Sequence, residues 1–540
     1  MSSPLSTQDS KDKEHPPSHN ELAPASSPTE AAVKDSRSVG LRPYILFCAL
    51  IASLGSFNAG FNTGVPNIPE RIIRSCSNDV LQQYADSPLP ACLPMGDWIW
   101  GVSVGMFALG GLPGGLIANP LATRLGRRDS MMLNNIFFLI GGLLIATSTH
   151  VAQFAIGRFF TGIGSGFSTV VVSMYIAEMS PVHCRGALGT MLQLLLVVGI
   201  LVSQSLGLGL SSVRGWRWLF AITVVPALLQ LSLLPFCIRS PRWLISRNRI
   251  EEARIALQRV RGDTDIDDEF NEMVQAQQQE KRAALKARAQ LFEHSEGDSA
   301  IEGSPNQSVN GAETGDTKYN AAKPLTPRQI FSKPAFAKLA LIVLVIHAGS
   351  QLSGINGVMY YSTSIFEKTF GPEAAPKVTL GVGCLNLVVT LMSTYLMDRA
   401  GRKILLLLSE SGMCIFSVLM VIASVYHIDG LVIASVMLFV ASFAIGLGTV
   451  PWLIVAELFP TYAVGAASSI AIGINWFANF IIGLIFPALS SGLKDYTFLV
   501  FVVVNAILFG FTFIFLSETK GKSIEQLARE RGAEIPTIEY

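Results

Sequence analysis

Charge is scarce in this 540-residue chain: Asp, Glu, Lys and Arg make up 15% of it, where a soluble domain carries about a quarter. What charge there is nets to +1, so no basic face argues for nucleic acid. Cysteine is sparse as well. Seven cysteines over this length do not build a disulfide framework, and no Cys/His spacing reads as a zinc site, so no metal or cofactor is expected. No nucleophile–base set and no phosphate loop stands out, which argues against an enzyme. The Gly-x-Gly-x-Gly at 162–166 lies inside an apolar run and reads as close helix packing. Residues 1–40 lack the apolar stretch of a cleavable signal. Rich in Ser, Pro and charge, they read as a solvated, disordered tail.

What is present is apolar: half of the residues are hydrophobic. A helix needs about 20 apolar residues to cross a bilayer core. Such stretches recur near 43–65, 97–119, 129–149, 151–176, 187–210 and 217–237, and again near 336–364, 377–397, 404–426, 430–455, 464–490 and 496–517. These are spans 1–6 and 7–12, and they predict an all-α membrane protein of twelve transmembrane helices in two six-helix halves. Basic residues gather in the 2/3 connection (Arg124, Arg127, Arg128), the 4/5 connection (Arg185) and the 8/9 connection (Arg399, Arg402, Lys403). By the positive-inside rule both termini are then cytosolic. The expected partition is a tail over 1–40, a first half over 41–238, a cytosolic segment over 239–335, a second half over 336–517 and a tail over 518–540. Within the central segment, 249–262 and 267–292 read as short helices and 293–325 as disordered. The sequon Asn306-Gln307-Ser308 lies on the cytosolic side in this topology and should be unused. The first outer loop holds Cys76 and Cys92, which are either joined by the oxidising exterior or left as two thiols.

The halves share punctuation. Thr123–Arg128 parallels Asp398–Lys403. Ile176-Ala-Glu-Met-Ser-Pro181 parallels Val455-Ala-Glu-Leu-Phe-Pro460, and the same offset sets Arg239 opposite Glu518. Three motifs in one order imply two structural repeats with a site between them near the midplane.

The motifs GFNTGVPNIP (60–69), LGRRDSM (125–131), GRFFTGIGSGF (157–167), RGALGTMLQL (185–194), QLSGINGVMYYSTSIF (351–366), VPWLIVAELF (450–459) and ETKG (518–521) resemble the sugar porter branch of the major facilitator superfamily, and within it the eukaryotic facilitative glucose transporters. The resemblance covers about 43–261 and 336–522. It implies the major facilitator fold and a small-molecule sugar, glucose or another hexose, carried across a lipid bilayer, by default the plasma membrane.

A hexose asks for neutral donors and acceptors plus aromatic faces, and amides offer both polar ends. The spans supply Gln193, Gln351, Asn356, Asn386, Trp452, Asn475, Trp476 and Asn479. A single membrane amide is equally a helix–helix tie. The resemblance makes Gln193, Gln351, Asn356, Asn386 and Trp452 sugar contacts and associates the indole at 452 with glucose over fructose. It makes Tyr360 and Tyr361 outer-gate tyrosines. Arg127, Arg128, Glu178, Arg185, Asp398, Arg399, Arg402 and Glu457 fall at inner span ends. They read either as interface anchors or, by resemblance, as ion pairs that latch the halves while the carrier faces outward.

Several positions depart from the family pattern. Arg239 replaces a Glu and is expected to seek a carboxylate of the other half. Val464 replaces an Arg, Ser350 a Gln and Ala444 an acid. His347 stands where a Gln-Leu-Ser signature begins and reads as a satisfied helix-interior histidine. Proton-coupled sugar porters tend to set a span 1 acid against a span 4 arginine; here Arg158 faces Asn62. That favours passive uniport over proton symport. Glu410, inside span 9, is expected to snorkel to the cytosolic interface. A sugar receptor is the remaining alternative, and the short C-terminal tail argues against it.

Overall fold

The computed structural model describes residues 42–75, 88–181, 184–262, 265–279, 327–332, 334–397, 399–459 and 461–520. The described residues contain helices, turns and bends and no strand. In a bilayer core each backbone N–H and C=O must be satisfied within the protein, and helices do this with bonds internal to each segment. Among the described residues, ten helical runs are long and apolar enough to cross a membrane. One of them, Phe336–Leu396, holds both expected spans 7 and 8, and the shorter apolar helix Leu499–Phe515 is span 12. The twelve expected stretches therefore all lie on helices. Spans 3 and 4 are separate helices, Arg127–Ala146 and Val151–Met179, despite their short connection.

Two spans are broken where glycine permits it. Span 7 stops at Leu352 and restarts at Ile355, with Gly354 at φ +100°, a region that favours glycine. The second helix then runs to Met397 through a kink at Gly371. Span 10 is Asp429–Ile445 followed by Val450–Leu458, with Pro451 in the first turn of the second piece. Both breaks place irregular backbone beside the central site.

Span 2 (Asp97–Leu125) packs along span 4 and along span 11 (Thr461–Leu493). Span 5 (Arg185–Leu210) packs on span 1 (Pro43–Gly64) and on span 8. The contacts of span 2 with span 11 and of span 5 with span 8 join the halves. At Gly101 of span 2, an added Cβ would fall 2.5 Å from the Leu484 carbonyl oxygen of span 11. Glycine there sets how closely the two helices approach.

Between the halves, Ser240 caps the short helix Pro241–Ser246, accepting from the Trp243 N–H. The helix Ile250–Arg261 buries Ala253, Ala256, Leu257 and Val260, and a second helix covers 267–279. Arg261 pairs with Glu269 at 2.6 Å and donates to the Met179 carbonyl, which fastens both helices to the end of span 4. The rest of the predicted 267–292 helix, the 293–325 stretch and the sequon lie outside the described residues.

Candidate functional site

The two breaks bring the predicted contact residues of the second half together. Asn356 donates to Gln351 Oε1 across the span 7 break. Gln351 Nε2 lies 3.4 Å from Ser350 Oγ, and Ser350 in turn donates to the His347 carbonyl. Asn475 of span 11 reaches Ser350 Oγ at 3.4 Å and the His347 carbonyl at 3.5 Å. Spans 7 and 11 are thus joined by neutral amides and hydroxyls. Asn386 of span 8 accepts a long bond from Thr390. Gln193 of span 5 is half-buried, with no hydrogen-bond partner among the described residues.

Trp452 opens the second piece of span 10 and is 39% exposed. His347 meets it edge-on, with ring centroids 5.0 Å apart. His347 Nε2 lies 3.0 Å from the Pro451 carbonyl, and a carbonyl only accepts, so Nε2 carries the proton. The buried Nδ1 is left as an acceptor without a partner. Trp476 is placed differently. It is buried against Phe107, ring centroids 5.8 Å apart, in a gap that Gly111 leaves: an added Cβ there would fall 2.2 Å from the indole. Its indole thus packs across the halves, and its Nε1 has no partner among the described residues.

Arg158 is fully buried. It donates to the Asn62 carbonyl at 2.7 Å, and its guanidinium lies 4.7 Å from the Phe107 ring centre. No carboxylate pairs with it among the described residues, and its Nε and Nη2 have no partner. Glu410 does not snorkel. It is fully buried, accepts from Thr512 of span 12 at 2.8 Å, and leaves Oε2 unpartnered. The reason is the helix face: Ile404, Leu408 and Ile415 are exposed, whereas Glu410 shares the buried side of span 9 with Met413 and Ser417.

The face of the molecule opposite the arginine-rich motifs is closed by contacts between the halves. Within the second half, Tyr360 donates to Asn479 at 2.9 Å and Tyr361 to the Gly483 carbonyl at 2.8 Å, which pins both to span 11. Asn67 donates to the Met359 carbonyl and to Ser362 Oγ, and accepts from the Thr363 N–H. Sequence reasoning passed over Asn67, although it lies inside the quoted 60–69 motif. It also missed Glu70 and Asp97, which accept from Ser364 (2.6 Å) and Ser491 (2.6 Å) of the other half. Cys92 is disulfide-bonded, and Cys76 lies outside the described residues.

On the arginine-rich face, four ion pairs among the described residues each lie within one half. Glu178 takes Arg127 at 2.7 Å and a 2.5 Å bond from Ser240. Glu457 takes Arg402 at 2.9 Å and a bond from Thr519. Arg239 does not reach the other half: it pairs with Asp129 at 2.9 Å, and Arg128 binds the other oxygen of the same carboxylate. Asp129 stands in the first turn of span 3, directly beside the segment that follows span 6, so the nearest acid is its own half's. Val464 packs against the apolar core of the second half. The Arg185 side chain and Asp398 lie outside the described residues.

A family model described as "Sugar (and other) transporter" matches residues 48–300 and 293–530. Among curated proteins the chain is similar to solute carrier family 2, facilitated glucose transporter member 3 of Oryctolagus cuniculus, 37% identical over 498 residues, covering 90% of this chain and 92% of that one. It is 36% identical to member 4 of Homo sapiens, covering 90% of each. Among solved structures, the partially occluded inward open xylose transporter XylE from E. coli superimposes with a TM-score of 0.68 at 24% identity, covering 89% of this chain and 100% of that chain. The proton:xylose symporter XylE bound to 6-bromo-6-deoxy-D-glucose gives 0.67 at 25%, covering 90% and 99%.

Proposed function

The chain belongs to the sugar transporter family, and from that premise we propose that it carries glucose or a related hexose across a membrane by alternating access, as facilitated diffusion. The observation that carries the passive reading is the surroundings of Arg158. Its only polar partner among the described residues is the Asn62 carbonyl, a group that does not titrate. A proton-coupled carrier needs an acid that meets the pathway. Glu410 does not supply one, because its bonded partner is Thr512 on span 12 of its own half.

Gln193, Gln351, Asn356, Asn386, Asn475 and Trp452 form the sugar site in this reading. Their neutral amides exchange water for ring hydroxyls without dehydrating a charge. Trp452 offers an apolar face, and Trp476 seals the halves beside it. Asn62, Tyr360 and Tyr361 gate the outer side. Arg127, Arg128, Glu178, Arg185, Asp398, Arg402 and Glu457 form the inner brackets. The arginine-rich face is cytosolic with both termini, the membrane is the plasma membrane, and the partition of the chain is the one read from sequence.

The test is uptake of labelled glucose into proteoliposomes with and without an imposed proton gradient. Uptake should equilibrate without accumulating, and Gln193→Ala or Trp452→Ala should lower it by about tenfold or more. Proton-driven accumulation would reject the passive reading and turn attention to Glu410.

A further inference from the structure

We propose that Glu70, Arg74 and Asp97 form a clasp that holds the outer mouth shut, with the opposite half supplying two hydroxyl groups as its catch. This deepens the alternating-access reading and rests on it. Arg74 Nη1 donates to Glu70 Oε1 at 2.7 Å, and a second nitrogen of the same guanidinium binds Asp97. Arg74 also donates to the Met95 carbonyl, so one arginine gathers the end of span 1 and the start of span 2. Each carboxylate keeps its other oxygen for the second half. Ser364, beyond the gate tyrosines on span 7, donates to Glu70 Oε2; Ser491, at the end of span 11, donates to Asp97 Oδ2.

The arrangement acts on relative position rather than on folding. The first half holds the acids in place through Arg74 whether or not the mouth is open. Of the clasp's own bonds, the two from Ser364 and Ser491 cross the gap beside those of Asn67, so they form on closing and break on opening. Burial pushes the Glu70 carboxyl up from the usual carboxylate range, opposed by its bonds from Ser364 and Arg74. A catch of two hydrogen bonds can be made and broken in each cycle, as a gate requires.

The test uses the full-length chain in nanodiscs, with the exposed Cys384 changed to Ser and nitroxide labels on Arg71→Cys and Asp495→Cys, exposed positions on either side of the mouth. Pulsed dipolar spectroscopy then reads the distance across it. Ser364→Ala with Ser491→Ala should raise the ratio of long to short distances by about a hundredfold or more, because two hydrogen bonds to charged groups are lost from the closed state alone. Ser364→Thr with Ser491→Thr, which keeps both hydroxyls, should return the parent distribution. Asp97→Asn, which weakens one arm, should give an intermediate shift. An unchanged distribution in the double-alanine variant overturns the clasp. Glucose uptake is measured on the same proteins reconstituted into proteoliposomes: a distance shift without parental uptake sinks the sugar reading and leaves the clasp standing, whereas parental uptake without a shift sinks the clasp alone.

Discussion

The two halves solve one problem on the arginine-rich face with opposite charges. In each, a glutamate at the end of a span accepts from an arginine at the start of another and from a hydroxyl at the end of a third: Glu178 with Arg127 and Ser240, Glu457 with Arg402 and Thr519. The residue before that hydroxyl differs. In the second half it is Glu518, whose carboxylate accepts from the backbone N–H groups of Arg402 and Lys403 and so caps span 9. An anion there meets the positive end of the helix and two N–H groups that lack intrahelical partners. In the first half it is Arg239, which has no acceptor to offer. The anion at the start of span 3 is instead Asp129, a residue of the helix itself, and Arg239 and Arg128 flank it. The electrostatic demand of the helix end is met in both halves, by a cap in one and by an ion pair in the other.

Removing the cap should have the largest effect. Glu518→Ala leaves the start of span 9 without its acceptor, and a loss of about 2 kcal/mol in the second half's stability is expected; thermal unfolding in detergent measures it, and a shift no larger than that of Arg239→Ala would erase the distinction between the halves. Arg239→Glu comes next. It sets a second carboxylate beside Asp129 and should cost about 1 kcal/mol or more, while adding Asp129→Asn, which restores the second half's charge pattern, should recover most of that loss. If the double variant is no better than the single one, Arg239 and Asp129 are not coupled. The smallest effect is the salt dependence. The Arg239–Asp129 coupling from a double-mutant cycle should fall from about 0.5–1 kcal/mol at low salt toward zero near 1 M. The Glu518→Ala penalty should hardly move, since a backbone cap is less exposed to screening.

Much of the fold was legible because a bilayer leaves few solutions: each long apolar run had to be a helix, and the repeated motifs set six helices against six. The breaks were partly legible too, through Gly354, Gly446 and Pro451. What escaped depends on which face of a helix meets which neighbour. Glu410 looked peripheral because its position along span 9 was readable and its direction toward Thr512 was not. Trp476 carries the same residue type as Trp452 and sits in the same region, yet the gap at Gly111 takes it into packing. Asp129 lay within the quoted 125–131 motif, but nothing in the chain's order says that residue 239 returns to it. The clasp joins residues 294 and 394 positions apart and was invisible for that reason.

Glu410 also bears on how the chain is made. Span 9 leaves the ribosome before span 12, and Thr512 follows Glu410 by 102 positions. An acid near mid-helix costs about 3 kcal/mol at insertion, and the leucines at 405–408 offset it. Until span 12 arrives, the carboxyl group waits in the membrane without the Thr512 hydroxyl that donates to it. The last helix is thus a chaperone in cis for the ninth, and a chain truncated before it would present the insertion and quality-control machinery with an orphaned acid.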